Sequence, residues 1–212
     1  MVKHFKRCLN AKYIHTAYSG DYAIEAERDT LYILFQKSSG AEDWKHNFSF
    51  PAKPYKRMKT VWLCHGGFLR VWKAMRNEIE AYVAEILANH TEIKKIVCIG
   101  YSHGAALSVF ATEDMEYLYG KDYEVSGYGF GIPRVLWGIV PKDVKNRIRN
   151  FTSIRNIPDI VTHVPPIIFG FRNAGTLVKV GKKGKYNPIK AHYPSAYKDE
   201  LNAMKGETAN DF

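Results

Sequence analysis

Residues 96–104, IVCIGYSHG, decide the fold predicted for this chain. The run IVCIG at 96–100 is continuously apolar and predicts a buried strand. The residues from about 103 to 119 predict a helix, with alanine and leucine in its first turns. A Gly-x-Ser-x-Gly sequence therefore joins a buried strand directly to a helix, which is the context that a nucleophile elbow requires.

Ser102 is the candidate nucleophile of this elbow. An elbow is a strained turn that lifts the serine hydroxyl clear of the sheet, so the residues two before and two after the serine must lack bulk. Gly100 and Gly104 meet that requirement. The helix that follows would bring its N–H groups and positive dipole end close to an oxyanion. The alternative is a structural serine in a strand-to-helix turn.

Helices alternate with short strands on both sides of this turn. Apolar residues recur every three or four positions from Phe68 to Ile86, which predicts a long amphipathic helix. Pro194 would open a final helix that runs to about Met204. The remaining predicted strands are short runs at 21–28, 31–36, 61–64, 124–130, 151–154 and 176–180. The alternation predicts an α/β fold with a mostly parallel central sheet flanked by helices.

The composition fits a single soluble domain over residues 1–212. With 46% hydrophobic and 25% charged residues, the chain differs from disordered, collagen-like and disulfide-scaffold proteins. Cys8, Cys64 and Cys98 are predicted to be buried free thiols. No apolar stretch follows the basic start MVKHFKRCLN, and no window resembles a membrane span. These features predict a reducing, cytoplasmic location.

Three histidines follow Ser102 and are candidates for a catalytic base, since a triad on this fold runs serine, acid, histidine. The ring of His103 is expected to point away from the neighbouring serine hydroxyl, which leaves its backbone N–H as the useful group. His163 lies in the turn-forming segment THVPP and is compatible with a surface position. His192 stands where a loop passes into the last helix, so it is the preferred base. A helix N-terminal partner is the alternative for His192.

Seven acidic residues lie between Ser102 and His192. Asp159 is the preferred acid, because it stands among apolar and turn residues in RNIPDIVTHVPP at the end of a predicted strand. A surface-loop aspartate is its alternative. The other six belong to the helix after the elbow, the start of the next strand or a polar helix start, and they are Glu113, Asp114, Glu116, Asp122, Glu124 and Asp143.

Several motifs in one order resemble the class 3, fungal-type lipases of the α/β-hydrolase superfamily. They are ILFQKSSGAEDWKHNF at 33–48, HGGFL at 65–69, GYSHGAAL at 100–107, GFGIPRV at 129–135 and NIPDIVTHVPP at 156–166. The resemblance extends from about residue 31 to residue 197. It implies an α/β-hydrolase fold with Ser102 as nucleophile, Asp159 as acid and His192 as base. It also implies an oxyanion hole made by Ser38 and the backbone N–H of His103.

Three features depart from the family pattern. Tyr101 and His103 flank the serine where the family often has histidine and leucine, and Lys37 replaces a glycine of the oxyanion turn. The lid position holds FSFPAKPYKRMKT at 48–60, which predicts an exposed basic loop without an apolar helical stripe. A second resemblance, of HGG at 65–67 to the oxyanion loop of other esterases, is disfavoured because a helix begins at once after it.

Charge adds a hypothesis about the substrate. The formal net charge is +10, and no acidic residue lies between Asp159 and Asp199. Together with Lys53, Lys56, Arg57 and Lys59, that stretch predicts a basic rim suited to anionic lipids or phospholipids. The predicted reaction is ester hydrolysis by a Ser-His-Asp triad through an acyl-enzyme, which needs no metal and no cofactor. The alternatives are a non-catalytic protein on a hydrolase fold that binds an anionic surface, and a nucleic-acid binder, for which KVGKKGKY at 179–186 is the only support. The oligomeric state is not predicted.

Overall fold

The predicted elbow strand lies in the middle of a seven-stranded sheet. The computed structural model of the protein describes residues 1–16, 20–36, 51–57 and 60–209, with side chains up to residue 204. In spatial order the strands of this sheet are β1 (Ile14–His15), β2 (Asp21–Glu27), β3 (Thr30–Gln36), β6 (Lys95–Tyr101), β7 (Glu124–Phe130), β9 (Phe151–Asn156) and β11 (Thr176–Val180).

The pairing of these strands is mostly parallel. Strands β3, β6, β7, β9 and β11 pair in parallel, while β1, β2 and β3 form the antiparallel end of the sheet. The register aligns Phe35 of β3 with Gly100 of β6, and Gly100 with Gly129 of β7. The prediction of a mostly parallel central sheet flanked by helices is therefore confirmed.

Among the described residues, five helices cover the two faces of this sheet, and they are α1 (Val2–Asn10), α2 (Gly66–Asn89), α3 (His103–Tyr119), α4 (Lys142–Arg147) and α5 (Pro194–Ala209). Helices α2, α3 and α4 pack on one face, where they share an apolar cluster with Ile33 of β3. Helices α1 and α5 pack on the other face against Tyr32 and Leu34 of the same strand. Successive side chains of a strand point to opposite faces, so β3 contributes to both clusters. The sequence interpretation missed α1.

A second, antiparallel sheet lies beside the first one. Its spatial order is β10 (Phe171–Arg172), β8 (Leu136–Trp137), β5 (Thr60–His65) and β4 (Ala52–Arg57). The prediction of a loop over residues 48–60 is wrong for 52–57, which form β4. Because β4 is at the edge of its sheet, Pro54 does not interrupt it, while Tyr55 is fully buried. The strand thus contacts the core through Tyr55, although its sequence is rich in charge.

The three cysteines are buried and free, at Cys8, Cys64 and Cys98. Burial raises the pKa of each thiol to about 12, so all three are protonated and unreactive at neutral pH. Among the residues that the structure describes, no helix has both the length and the apolar composition needed to cross a membrane.

Candidate active site

The Ser102 turn has the backbone of an elbow. Ser102 adopts φ 55° and ψ −121°, a positive φ that is unusual for a residue with a side chain, and its N–H donates to the Phe130 carbonyl at 2.8 Å. A Cβ added to Gly100 would lie 2.1 Å from the Gly104 carbonyl oxygen. A Cβ added to Gly104 would lie 2.2 Å from the carbonyl oxygen of Phe35. Both glycines are thus required, because strand, turn and helix approach each other backbone to backbone.

His192 lies beside this serine although the two residues are 90 positions apart in the sequence. It ends a one-turn 3-10 helix, Lys190–His192, between β11 and α5. Its Nε2 lies 2.8 Å from the Ser102 Oγ, and its Nδ1 lies 2.8 Å from the Asp159 Oδ2. The structure brings the three triad candidates together in one hydrogen-bonded chain.

Two side chains from other strands and one glycine hold the His192 turn. The Tyr101 ring stacks on the His192 ring, with centroids 5.4 Å apart, and the Tyr101 hydroxyl donates to the His192 carbonyl. Asn156 Nδ2 donates to the Ala191 carbonyl at 3.0 Å. A Cβ at Gly131, which has φ +61°, would lie 2.9 Å from the His192 ring. The position of the imidazole is therefore fixed by packing and by long-range hydrogen bonds.

Asp159 is fully buried at the start of a second 3-10 turn, Ile160–His163. Its Oδ1 accepts from the backbone N–H of Val161 at 2.9 Å, which caps this turn. Its Oδ2 accepts from the Tyr197 hydroxyl at 2.6 Å in addition to His192. Three donors thus surround the carboxylate and fix its orientation.

Tyr197 is the site residue that the sequence interpretation missed. Burial, and then the charge of Asp159, raise its pKa well above the usual value, so the phenol is protonated and donates. The backbone N–H of Asn156 donates to the same hydroxyl at 3.0 Å. A tyrosine five residues after a histidine has no motif of its own, so only the packing of α5 on the sheet reveals its contact with Asp159.

The other two histidine candidates have different surroundings. The Nδ1 of His163 lies 2.9 Å from the carbonyl oxygen of Asp159, within its own turn. The buried ring of His103 packs edge-on against Phe68, with centroids 5.2 Å apart. Further upstream, the Nδ1 of His65 accepts from the N–H groups of Gly67 and Phe68 and so caps helix α2. The HGG segment is therefore a helix start.

Three of the rejected acids have partners of their own. Glu113 pairs with Arg147 at 2.6 Å, and Asp143 lies 3.3 Å from the same guanidinium. Asp114 is a buried residue of α3 and accepts from Tyr55 of β4 at 2.7 Å. Within the described part of the chain, Asp159 alone of the seven candidates hydrogen-bonds to a histidine.

One of the two predicted oxyanion donors belongs to the described residues. Ser38 lies outside the described residues, as does Lys37. His103 is the first residue of α3 and directly follows Ser102, so its backbone N–H lies at the positive end of the helix dipole. No group of three histidine, cysteine or acidic side chains suited to a metal ion occurs among the residues described.

The parallel sheet, the strained serine turn and the hydrogen-bonded Ser-His-Asp set are those of an α/β-hydrolase. Within that class, the chain belongs to the class 3 lipase family: the family model, described as Lipase (class 3), matches residues 32–169. The predicted family is confirmed.

Known lipases are similar to most of this chain. A lipase of Rhizomucor miehei is 29% identical over 151 residues, which cover 69% of this chain and 40% of the relative. The secreted mono- and diacylglycerol lipase 1 of Fusarium solani is 28% identical over 152 residues, covering 71% and 44%. A solved triacylglycerol lipase, described as having a serine protease triad at its catalytic centre, matches with TM-score 0.66 and 25% identity. That match covers 81% of this chain and 66% of the other.

The chain thus spans less than half the length of the two curated relatives. One of them is a secreted enzyme by name, as are further relatives from Penicillium. The predicted cytoplasmic location is therefore wrong. Its premise was weak in physical terms, because a core of this size is stable without disulfides in either compartment, so free buried cysteines do not report the location.

Proposed function

We propose that the protein hydrolyses carboxylic esters of the lipase or esterase type, with Ser102 as nucleophile, His192 as base and Asp159 as acid. The observation that carries the proposal is the chain of two 2.8 Å hydrogen bonds that joins these side chains. Both distances are within the range at which a proton passes between heteroatoms.

In the acylation step, the Ser102 Oγ attacks the ester carbonyl carbon while its proton passes to the His192 Nε2. Asp159 accepts a hydrogen bond from Nδ1 and so keeps Nε2 as the basic nitrogen. It also stabilises the imidazolium that forms. The imidazolium then protonates the departing alkoxide, and an acyl-serine remains.

In the deacylation step, His192 removes a proton from water, which attacks the acyl-serine and releases the carboxylic acid. Both tetrahedral intermediates carry a negative oxygen that needs donors. We assign these donors to the His103 backbone N–H at the start of α3 and to Ser38. The family pattern supports the second assignment.

Labelling with a fluorophosphonate tests the nucleophile directly. We expect one adduct, on Ser102, and a fall of about 10³ or more in turnover of a p-nitrophenyl ester in Ser102→Ala. Ser195→Ala is the matched control, because this exposed serine lies three residues after His192 and outside the triad. An adduct on another residue, or none, would refute the enzyme assignment.

The serine pair at 38 and 39 provides a test of the oxyanion hole. Loss of one side-chain donor lowers turnover by about 10² to 10³. We expect that fall in Ser38→Ala and not in the neighbouring Ser39→Ala. Equal turnover of the two variants would remove the Ser38 hydroxyl from the mechanism.

We further propose that the substrate lies at an anionic lipid surface. Ile189 and Tyr193, on either side of the His192 turn, are 59% and 50% exposed, and such side chains suit a lipid interface. Lys53 and Lys56 of β4 are exposed, as are several lysines of the acid-free stretch. Two of the predicted rim charges are engaged within the protein, since Arg57 pairs with Glu80 at 2.6 Å and Lys185 pairs with Glu200.

Vesicles of different charge test this choice of substrate. Exposed cations attract anionic bilayers by about 1 kcal/mol each, within a Debye length of about 8 Å at physiological salt. We expect faster hydrolysis in anionic than in zwitterionic vesicles, a difference that shrinks as salt rises and in Lys53→Gln/Lys56→Gln. A soluble short ester is the control and should show little salt dependence. Equal rates on both vesicles at low salt would contradict the proposal.

We also propose that residues 1–212 form one domain. Leu31 of the seven-stranded sheet and Trp62 of the four-stranded sheet belong to the same apolar cluster, which supports one shared core. A single cooperative unfolding transition, followed by fluorescence and by circular dichroism, is the expected result. Two transitions would indicate separate units.

A further inference from the structure

A cavity of about 630 Å³ lies away from the triad. It is bounded by the segment after β8, the end of α4 and the segment before β11. Neither Ser102, Asp159 nor His192 belongs to its wall. Its volume is within the range of cavities that enclose a small organic ligand.

Three cations line this cavity, Lys145, Arg149 and Arg172, and no acidic side chain lines it. The acid nearest to them in sequence, Asp143, already forms an ion pair with Arg147. Within the described part of the chain, none of the three cations has a carboxylate within 4 Å. Glu116 of α3 is affected by the charge of Arg149, which lowers its pKa against the larger and opposite effect of burial, but Glu116 does not line the cavity. The cavity wall itself therefore carries positive and no negative charge.

Two arginines behind the wall increase this charge, Arg134, which is buried, and Arg155, which is half-buried. Arg134 is 4% exposed, and burial together with the charges of Arg155 and Arg172 lowers its pKa. The Arg155 guanidinium donates to the Asn173 side chain, which lines the cavity, at 3.3 Å. The Nε atoms of Arg134 and Arg155 are buried and have no hydrogen-bond partner among the described residues. An anion near Asn173 would relieve the repulsion among these guanidinium groups.

Apolar side chains form much of the remaining wall, and they belong to Leu136, Ile139, Val140 and Ile148. Ile139 is 96% exposed although it belongs to this wall. The hydrocarbon surface at this position is not covered by the protein itself. A ligand that covers it would gain about 25 cal/mol for each Å² of apolar surface removed from water.

We infer that this cavity binds a fatty-acid anion, with the carboxylate among the three cations and the hydrocarbon chain along the isoleucine wall. A small inorganic anion would leave the apolar wall in water, and a neutral lipid would leave the cations without a counter-ion. Ester hydrolysis releases a carboxylate of this kind, so the choice of a carboxylate rests on the proposed function.

Calorimetric titration with sodium decanoate tests the site. The titration uses the full chain after treatment with a fluorophosphonate, so that the Ser102 site is occupied. We expect saturable binding that weakens at least tenfold in Arg149→Gln/Arg172→Gln, because each charged hydrogen bond is lost. Lys94→Gln/Lys121→Gln is the matched control, since both lysines are exposed and lie outside the cavity wall. It should bind within twofold of the unchanged protein.

Three further titrations identify the ligand class. Acetate and inorganic phosphate lack the chain, and decanol lacks the charge, so each should bind at least tenfold more weakly than decanoate. Ile139→Ser should weaken decanoate binding and leave acetate binding unchanged. Decanoate binding no tighter than that of acetate would overturn the inference, and so would a double variant that still binds within twofold.

The outcomes separate this inference from the proposed function. Failure of Ser102 to react, with decanoate binding still lost in Arg149→Gln/Arg172→Gln, would remove the hydrolase assignment and leave the cavity site. Decanoate binding that disappears only when Ser102 is labelled would assign it to the triad region. That result would overturn the cavity site and leave the hydrolase assignment intact.

Discussion

The proposed nucleophile and the proposed base are held in place in different ways. Ser102 is positioned by backbone alone, because Gly100 and Gly104 let strand, turn and helix meet without side chains between them. His192 is positioned by side chains, since Tyr101 and Asn156 fix a short turn that has little structure of its own. A site can thus combine one part that five consecutive residues define with another part that depends on distant contacts.

The first prediction breaks the backbone-defined part and has the largest expected effect. In Gly104→Ala the new methyl group would contact the Phe35 carbonyl at 2.2 Å. We expect a loss of roughly 3 kcal/mol or more in unfolding free energy, together with loss of activity. Gly184→Ala is the control, because no atom lies within 4 Å of the added methyl and only the positive φ of this glycine opposes a side chain. There the cost should be only about 1 kcal/mol.

The second prediction breaks the part that side chains define and leaves the elbow intact. Asp159→Asn would direct an amide at the imidazole and favour the wrong tautomer, with a fall in turnover of about 10⁴. Fluorophosphonate labelling of Ser102 should slow in parallel. Asp143→Asn, a change of equal charge at a residue paired with Arg147, should keep full turnover. Activity within tenfold of the unchanged protein in Asp159→Asn would exclude Asp159 as the acid.

The same division explains how much the sequence predicts. The parallel sheet and helices α2 and α3 follow from apolar periodicity over five to twenty consecutive residues, so local pattern is enough. Strand β4 was missed because its three positive charges and Pro54 conceal the one buried residue, Tyr55. Tyr197 was missed because its partner Asp159 is 38 residues away. Contacts across such distances leave no pattern in a single sequence.

Charge was also harder to predict than fold. Arg57 and Lys185 belong to the basic rim expected from the sequence, yet each pairs with a glutamate of another element. A count of lysines and arginines along the chain does not contain this information. The roles of the triad residues, the Ser38 donor and the lipid preference remain predictions that the experiments above decide.

The third prediction concerns His65, whose side chain holds the backbone of the residues directly after it. It thus combines the two ways of positioning, by backbone and by side chain. His65 caps α2 with its Nδ1, and burial lowers its pKa to about 4. Below about pH 6.5 the imidazole is protonated in the unfolded chain but not yet in the folded protein. The free energy of unfolding therefore decreases as the pH falls from about 6.5 to about 4. The loss amounts to roughly 3 kcal/mol.

Denaturant unfolding over this pH range measures the His65 effect. His65→Asn keeps an acceptor at the cap and removes the titration, so its stability should depend less on pH. His4, whose pKa burial also lowers to about 4, contributes in the same direction and provides the comparison in His4→Asn. An unchanged pH dependence in His65→Asn would show that its protonation is not coupled to folding.

The last prediction has the smallest expected effect and concerns Tyr197, which donates a hydrogen bond to Asp159. Tyr197→Phe removes one of the three donors to Asp159 and leaves the ring packed in the core. We expect turnover to fall about tenfold, since one hydrogen bond to a charged group is lost. Tyr193→Phe, at an exposed tyrosine beside His192, should have no effect. Equal turnover in both variants would mean that two donors suffice to orient Asp159.

Ser102 and His192 are separated by 90 positions in the sequence. This separation has a consequence during protein synthesis. A ribosome that adds about 5 to 20 residues per second needs roughly 5 to 20 s to proceed from one to the other. Throughout that interval the nascent chain carries the elbow sequence without His192 beside it. In the proposed mechanism the serine gains its full reactivity only when the His192 turn docks, so hydrolysis would begin only after this late segment has folded.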